Sequence, residues 1–561
     1  MKTLYYNGKL ITMAKNAPQE QTSAPDALLV EKGKIAAVGR FQDLLAASGK
    51  AVKLVDLQGK CLMPGFIDPH GHITTTGLMA MFADLSGCTS FDEIVETLQN
   101  FMAKKGIKAG DKKAVVVGFG YDHNFLKEQT QPDRRVLDRV SREIPVVILH
   151  VSIHFSCANS AALKLAGITA ETPDPEGGKI ARLTAEESAV CGYGPAADPD
   201  GTAPAAGFGE PSGYLEETAS HLMVGALGKA LKPDLKALVK GMQRKYLENG
   251  VTTAQDGATM ERDWKILKIL SSLGLLKLDV VAYPLLTANG REILKKNPKY
   301  DGNYHKRLKI GGYKMILDGS PQGRSAWMSR PYLGGDPGYC AYPWLPDEKA
   351  AELARIAVED GKQLLAHCNG DAASEQFLNA YENAAADRKD LRPVMIHCQT
   401  VRSDQLDRMA RLNMIASIFV GHVWYWGDVH RKNFGEERGQ RISPAAEALR
   451  KGLHVNFHQD PPVTAPNMLH SVWCAVNRIG RSGTVIGEDQ KVSVYDALRA
   501  VTIEGAYQYF EEDSKGTLEP GKRADLVILD RSPLETDPME IKDIKVLETV
   551  KDGRTVYRAG R

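Results

Sequence analysis

The sequence predicts an α/β protein: a (β/α)₈ TIM barrel, a small β-sandwich domain from both chain ends, and an α/β insertion after barrel strand 1. Three observations predict it. From residue 250 onward, short apolar runs alternate with helical segments. The two chain ends share one style, short alternating strands separated by Gly-containing turns. The stretch between the first and second apolar runs of the barrel is far longer than a strand-to-helix loop requires. The division that follows is 1–60 and 505–561 for the end domain, 61–75 and 246–504 for the barrel, and 76–245 for the inserted subdomain or lid.

Bulk composition agrees. The 561 residues exceed one ordinary domain, but a barrel absorbs about 250 residues as a single unit. Apolar residues at 43% and charged residues at 25% are the balance of a soluble globular protein. Lys plus Arg number 71 against 69 Asp plus Glu, which gives no basic surplus for nucleic acid. The N-terminus lacks a signal-peptide core, and no apolar run approaches the ~20 residues of a membrane helix. The eight cysteines are scattered without a CxxC pair, as reduced core residues are. The expectation is a cytoplasmic protein that acts on a small molecule, with no nucleic-acid or membrane partner and a homodimer as the default assembly.

The end domain rests on turns at Asn7-Gly8, Lys32-Gly33-Lys34 and Gln58-Gly59, and on the run from Gly516 through Ala524–Asp530 to Val550–Tyr557. The predicted barrel strands are Cys61–Asp68, Val251–Gln255, Leu278–Tyr283, Leu308–Ile316, Gln363–His367, Pro393–His397, Met414–Val420 and Leu453–Phe457. Most are continuous apolar runs, as in parallel strands buried on both faces. Within the insertion, Ala114–Gly118 and Pro145–His150 read as strands, and Phe91–Lys104 and Leu215–Lys240 as helices. Tyr193–Gly213, without periodicity and rich in Gly, Pro and Ala, reads as an extended loop.

The chemistry begins at Pro64-Gly-Phe-Ile-Asp-Pro-His70-Gly71-His72. Residues two apart on an extended segment face the same side, so His70 and His72 can converge, and Gly71 adds no bulk between them. Imidazole suits zinc and similar divalent ions. His367 ends strand five, His397 ends strand six, and Asp460 follows strand eight. A buried histidine bonded to its neighbours would account for any one of these. It accounts poorly for the set, because a barrel brings those strand ends to a common mouth, where active sites lie. His70, His72, His367, His397 and Asp460 are the expected metal ligands.

Lys314 sits inside strand four, where a lysine is costly unless paired, neutralised or modified. It could also reach the rim or pair with Asp318. His422 follows strand seven and is placed to bind substrate or polarise its carbonyl; plain packing is the alternative. His154 is a candidate substrate residue from the insertion, and His458 a supporting one. Trp327, Trp424 and Trp426, with Trp473, follow strand ends and predict a partly aromatic pocket for aryl or bulky substituents; packing in the barrel–helix layer is the alternative. Cys368 and Cys398 follow ligand histidines and are expected to point into the barrel–helix layer.

Taken together, PGFIDPHGH, the two strand-end histidines, Asp460 and the tail KGTLEPGKRADLVILD resemble the amidohydrolase superfamily. The segments Gly312-Tyr-Lys314-Met-Ile-Leu-Asp-Gly-Ser320, Ala366-His-Cys-Asn-Gly-Asp371 and His154-Phe-Ser-Cys-Ala-Asn159-Ser-Ala-Ala-Leu163 resemble its branch that includes N-substituted formamide deformylase. The likeness spans nearly the whole chain. It implies zinc, as one or two ions, with Lys314 carboxylated and bridging two. The usual Gly-Asp-Arg-Ala after the strand-five histidine stands here as Gly370-Asp371-Ala372-Ala373, and 183–208 reads as an additional loop.

The implied reaction is metal-dependent hydrolysis of a C–N bond in an amide, N-formyl or cyclic amide, with Asp460 as general base and then acid. A nucleobase-type deaminase on the same fold would carry a Glu shortly after a metal histidine, and none follows His367. Ester or carbamate cleavage would use the same groups. A catalytically silent binding protein is the alternative outside enzymes.

Overall fold

The computed structural model describes residues 2–14, 25–49, 51–108, 110–111, 114–184, 209–231, 235–385 and 390–560. The cores of the loops expected at 193–213 and 183–208 lie outside that set. The chain forms two compact units, one of Met1–Thr76 with Met242–Arg561 and the other of Gly77–Gly241.

In the larger unit, eight parallel strands follow one another in chain order with helices between them, a TIM-barrel-like α/β arrangement. They are Phe66–Ile67, Val251–Thr259, Asp279–Pro284, a fourth strand broken into Leu308–Ile310 and Gly312–Ile316, then Gln363–Cys368, Val394–His397, Ile415–Ile418 and His454–Phe457. Among the described residues they hydrogen-bond as two arcs. One runs from Phe66–Ile67 to Leu308–Ile310, the other from Gly312–Ile316 to His454–Phe457. The break in the fourth strand has a packing cause. At Gly311 an added Cβ would lie 2.6 Å from the Tyr283 ring, so the neighbouring strand's aromatic side chain occupies that space.

The interior is apolar. Ile67, Val281, Tyr283, Leu365, Val394, Ile396 and Ile415 share one cluster with Ala506 and Tyr509, so strands of both arcs turn one face toward a common apolar core. That cluster fixes which way each strand faces. Tyr313 turns outward to donate to Asp360 at 3.0 Å, so Lys314 beside it faces inward.

Cys61–Asp68 is not a single barrel strand. Cys61–Pro64 pairs with Leu526–Leu529 in a five-stranded sheet of the chain ends, and only Phe66–Ile67 pairs with Val251–Thr259. The crossing is at Gly65, where a Cβ would lie 2.4 Å from Thr252 Cγ2. A second sheet orders Lys34–Gly39, Ala27–Glu31, Lys2–Tyr6 and Val52–Asp56. One apolar cluster draws Tyr5, Leu28 and Val30 from this sheet and Leu62, Leu526 and Val550 from the other.

The smaller unit is built on a six-stranded sheet, from Gly178–Arg182 at one edge to Ala83–Asp84 at the other. Val146 and Ile148 enter the core on one face, Val147 and Leu149 the core on the other. Helix Phe91–Lys105 forms as expected, capped by Ser90 and closed at Gly106 with φ 69°. Leu215–Lys240 does not form one helix. Pro211–Glu217 is a strand paired with Phe155–Ala158, and helices run Thr218–Ala230 and Leu235–Leu247. The strand at Ala114–Gly118 begins two residues later, as Val116–Tyr121.

Seven cysteines among the described residues are free, Cys368 and Cys398 both buried. No described helix is long and apolar enough to cross a membrane.

Candidate metal centre

The ends of the first and eighth strands bring His70, His72 and Asp460 together. One ligand atom of each lies within 4.8 Å of the others. His70 Nε2 is 3.4 Å and His72 Nε2 3.2 Å from Asp460 Oδ1. Gly71 permits this: a Cβ there would lie 2.8 Å from Pro461 Cδ and 2.9 Å from Asp68 Oδ2. His70 is buried, whereas the His72 side chain is 25% exposed, so the group opens at His72.

The hydrogen bonds assign the protons. Gln255 Nε2 donates to the Pro69 carbonyl at 2.5 Å and to Tyr509 at 3.2 Å, which leaves Oε1 facing His70 Nδ1 at 2.7 Å. An amide oxygen accepts, so Nδ1 carries the proton and Nε2 presents a lone pair. That nitrogen and Asp460 Oδ1 are both buried without a hydrogen-bond partner. Two acceptors aimed at each other in a buried site repel unless a cation lies between them.

Around this pair the structure brings the remaining predicted ligands. His397 Nε2 is 3.0 Å from His367 Nδ1, and the His70 and His397 rings lie 5.4 Å apart. Ile396 points into the barrel, so a regular strand would turn His397 outward. Its φ of 78°, followed by 50° at Cys398, breaks the alternation. Burial holds both His70 and His397 well below the usual imidazole range, which keeps them neutral as metal ligands must be. Lys314 is 1% exposed and its Nζ has no hydrogen-bond partner. Burial brings its ammonium down to about 8. Asp318 does not pair with it; that carboxylate accepts the backbone N–H groups of Trp327, Asn369 and Gly370.

His422 opens helix His422–Gln440, buried, with Phe419 edge-on at 4.7 Å and Trp426 at 4.6 Å. Trp426 is itself buried against these rings. Trp424 packs edge-on against Trp473 at 5.2 Å, with Lys542 Nζ 5.9 Å from its ring. Trp327 sits on the loop that Asp318 secures, its carbonyl accepting from Ala372. In the smaller unit, His154 Nδ1 is 2.8 Å from Glu217.

Three contributors, Gln255, Asn369 and His430, escaped the sequence reading, and Asp318 was named only as a partner for Lys314. Gln255 and Asp318 are polar residues at strand ends, and Asn369 lies two residues beyond His367; their position is the signal. His430 lies eight residues after His422 on the same helix. His458, expected only as support, has its ring 5.0 Å from that of His70 and both nitrogens unpartnered.

Asp122, His123 and His150 of the smaller unit form a second group of this kind among the described residues. It is satisfied without an ion. Ser152 N–H donates to His150 Nδ1 at 3.1 Å, so His150 Nε2 carries the proton and donates to His123 Nδ1 at 3.2 Å.

Comparison with known proteins points the same way. The sequence profile of the amidohydrolase family matches residues 53–194 and 188–557. Protein LONG AFTER FAR-RED 3 of Arabidopsis thaliana is 27% identical over 99% of this chain and 91% of its own length. N-substituted formamide deformylase of Arthrobacter pascens is 26% identical over 96% of each chain. The crystal structure of an uncharacterized metal-dependent hydrolase from Pyrococcus horikoshii superposes with a TM-score of 0.72 at 24% identity, covering 96% of this chain and 99% of the other.

Proposed function

The chain belongs to the amidohydrolase family, and from that premise we propose that it hydrolyses the C–N bond of a small N-acyl or N-formyl compound. The observation that carries the reading is the opposed pair of buried acceptors, His70 Nε2 and Asp460 Oδ1, 3.4 Å apart. His70, His72 and Asp460, with His367, His397 and a carboxylated Lys314, would hold one or two divalent cations. The imidazole and carboxylate donors suit zinc. Such a cation supplies Lewis acidity toward water and toward the scissile carbonyl.

The chain's own groups do the rest. Asp460 accepts a proton from the attacking water and returns it to the departing nitrogen, which leaves as a neutral amine. His422 donates a hydrogen bond to the carbonyl oxygen as negative charge develops on it. Lys314 Nζ, buried and without a hydrogen-bond partner, is suited to give up one proton as an ammonium and a second as the neutral amine adds to carbon dioxide, so that a cation is replaced by a carboxylate facing the ligands. Phe419 and Trp426 pack against His422 and hold its ring, and the half-buried Trp327 beyond the fourth strand favours an aryl or bulky nitrogen substituent. The two end sheets act as a supporting β-sandwich, and 77–241 is an inserted α/β subdomain.

The N-formyl choice is supported by the similarity to N-substituted formamide deformylase over nearly the full length of both chains. The test is zinc-loaded enzyme against a panel of N-substituted formamides, N-acyl amines and cyclic amides, with metal content measured alongside. Formate release from aryl or bulky formamides is expected, and His70→Ala should lose metal and turnover together. An enzyme that retains stoichiometric metal yet cleaves none of the panel would falsify the reading.

A further inference from the structure

His422 and His430 share one hydrogen bond, and its direction decides what His422 can do. His422 Nδ1 lies 2.9 Å from His430 Nε2. The ring planes are 12° apart with centroids 5.2 Å apart, the arrangement of two nearly coplanar rings joined edge to edge by an in-line N–H···N bond. Both residues are buried, and burial holds both imidazoles well below their usual range, so each ring carries a single proton.

Two arrangements satisfy the bond. In one, His422 Nδ1–H donates to His430 Nε2. His430 must then carry its own proton on Nδ1, a buried nitrogen without a hydrogen-bond partner, and a buried N–H without an acceptor costs about 1–3 kcal/mol. Both rings are then in the Nδ1–H form, the less favoured tautomer of neutral histidine. In the other, His430 Nε2–H donates to His422 Nδ1, and both rings take the favoured Nε2–H form. His430 Nδ1 stays unpartnered in both, as a donor in the first and an acceptor in the second, so the tautomer preference of the two rings decides for the second.

We infer that His430 is a positioning residue that holds His422 as the Nε2–H tautomer, ready to donate to the substrate's carbonyl oxygen. The inference rests on the C–N hydrolase reading for its last clause only. The Phe419 ring links His422 to the metal centre, its centroid 4.7 Å from that of His422, 5.3 Å from that of His458 and 6.4 Å from that of His397. His430 touches none of the reacting atoms. It stacks on Phe434, with planes 13° apart and centroids 5.7 Å apart, which fixes its own ring. The residues at 422, 426, 430 and 434 recur every four positions along one helix, so a single helix face carries donor, flank, positioner and anchor.

The test uses zinc-loaded enzyme labelled with ¹⁵N in the histidine rings, with His422→Gln to assign the signals. The expected spectrum shows His422 protonated at Nε2 and bare at Nδ1. His430→Phe keeps an aromatic ring in the stack but deletes the donor. Its His422 signals should become those of mixed tautomers, and kcat on the best formamide should fall roughly tenfold to a hundredfold, less than the roughly 10²–10³-fold cost of losing an oxyanion donor outright, because His422 itself remains. KM and metal content should stay near wild type. His430→Gln, which restores an N–H, should recover part of the rate and the single tautomer. A proton on His422 Nδ1 in the wild type, or unchanged kcat in His430→Phe, overturns the inference. Were the wild type inactive on every C–N substrate, the functional reading would fail while the nitrogen spectra still decided the tautomer.

Discussion

Gln255 offers the closest view of how this centre is prepared, because its amide is oriented before any ligand arrives. Its nitrogen is committed to the Pro69 carbonyl and the Tyr509 hydroxyl, so its oxygen has one task left, to accept from His70. Removing it would free the His70 ring to rotate and to change tautomer. Partners of this kind typically contribute 10–100-fold in metal affinity. Gln255→Leu should therefore weaken zinc binding by roughly that factor, measured by chelator competition, with the histidines themselves intact. Unchanged affinity would mean that packing alone orients His70. The ligand histidines were legible in the sequence because strand ends are legible and histidine is rare. Their orientation was not. The Gln255 contact spans 185 residues, and the left-handed backbone at His397 and Cys398 has no marker in the apolar pattern of the strand before it.

At the scale of elements, the strands of the barrel were recoverable because burial on both faces writes continuous apolar runs. The passage at Gly65 was not, since the chain leaves one sheet for another without any change in apolar pattern. The strand Pro211–Glu217 merged with the helix after it, because Glu216 and Glu217 carry no marker of a boundary. Also invisible was an ion network at the opposite end of the barrel from the metal centre. Asp279, at the start of the third strand, accepts from Lys515 and from Lys551, each at 2.6 Å, and Lys551 also bonds Asp525. Those partners lie 236 and 272 residues away along the chain. Burial alone would raise the Asp279 carboxyl, but the two ammonium groups outweigh it and hold it below the usual aspartate range. A carboxyl depressed on folding contributes stability that is present above its unfolded pKa of about 3.9 and is lost as pH falls toward the folded value. Asp279→Ala, which leaves two buried ammonium groups without this carboxylate, should destabilise the fold by about 3–5 kcal/mol. Asp279→Asn should in addition flatten the acid limb of the stability curve below pH ~4. Urea titrations at several pH values measure both, and a loss under ~1 kcal/mol would show that water reaches the network.

Across the whole molecule, the His70, His72 and Asp460 group lies at one seam between the two arcs of strands. Among the described residues the strands hydrogen-bond as two arcs, and no ladder joins the eighth strand, His454–Phe457, to the first, Phe66–Ile67. His70 and His72 follow the first strand and Asp460 follows the eighth, so the candidate ligands face one another across that seam. A backbone bond from His72 N–H to the Pro461 carbonyl at 2.7 Å also crosses it. At the same seam the acceptors of His70 and Asp460 face each other at 3.4 Å, with His72 Nε2 3.2 Å from the same carboxylate oxygen. A cation there would turn repulsion into a link between the first and last strands. Ligation by the native state alone stabilises by RT ln(1 + [M]/Kd), about 4.1 kcal/mol at a free concentration ~1,000 times Kd. Stripping the enzyme with a chelator should lower its melting temperature, and added zinc should restore it. Hydrogen exchange should locate the change, with faster exchange in 66–76 and 454–464 while the strands Val394–His397 and Ile415–Ile418, inside one arc, remain protected. Uniform loosening of all eight strands would instead make the cation a support of the whole barrel. An unchanged melting temperature, with zinc fully removed, would show that the barrel closes without it.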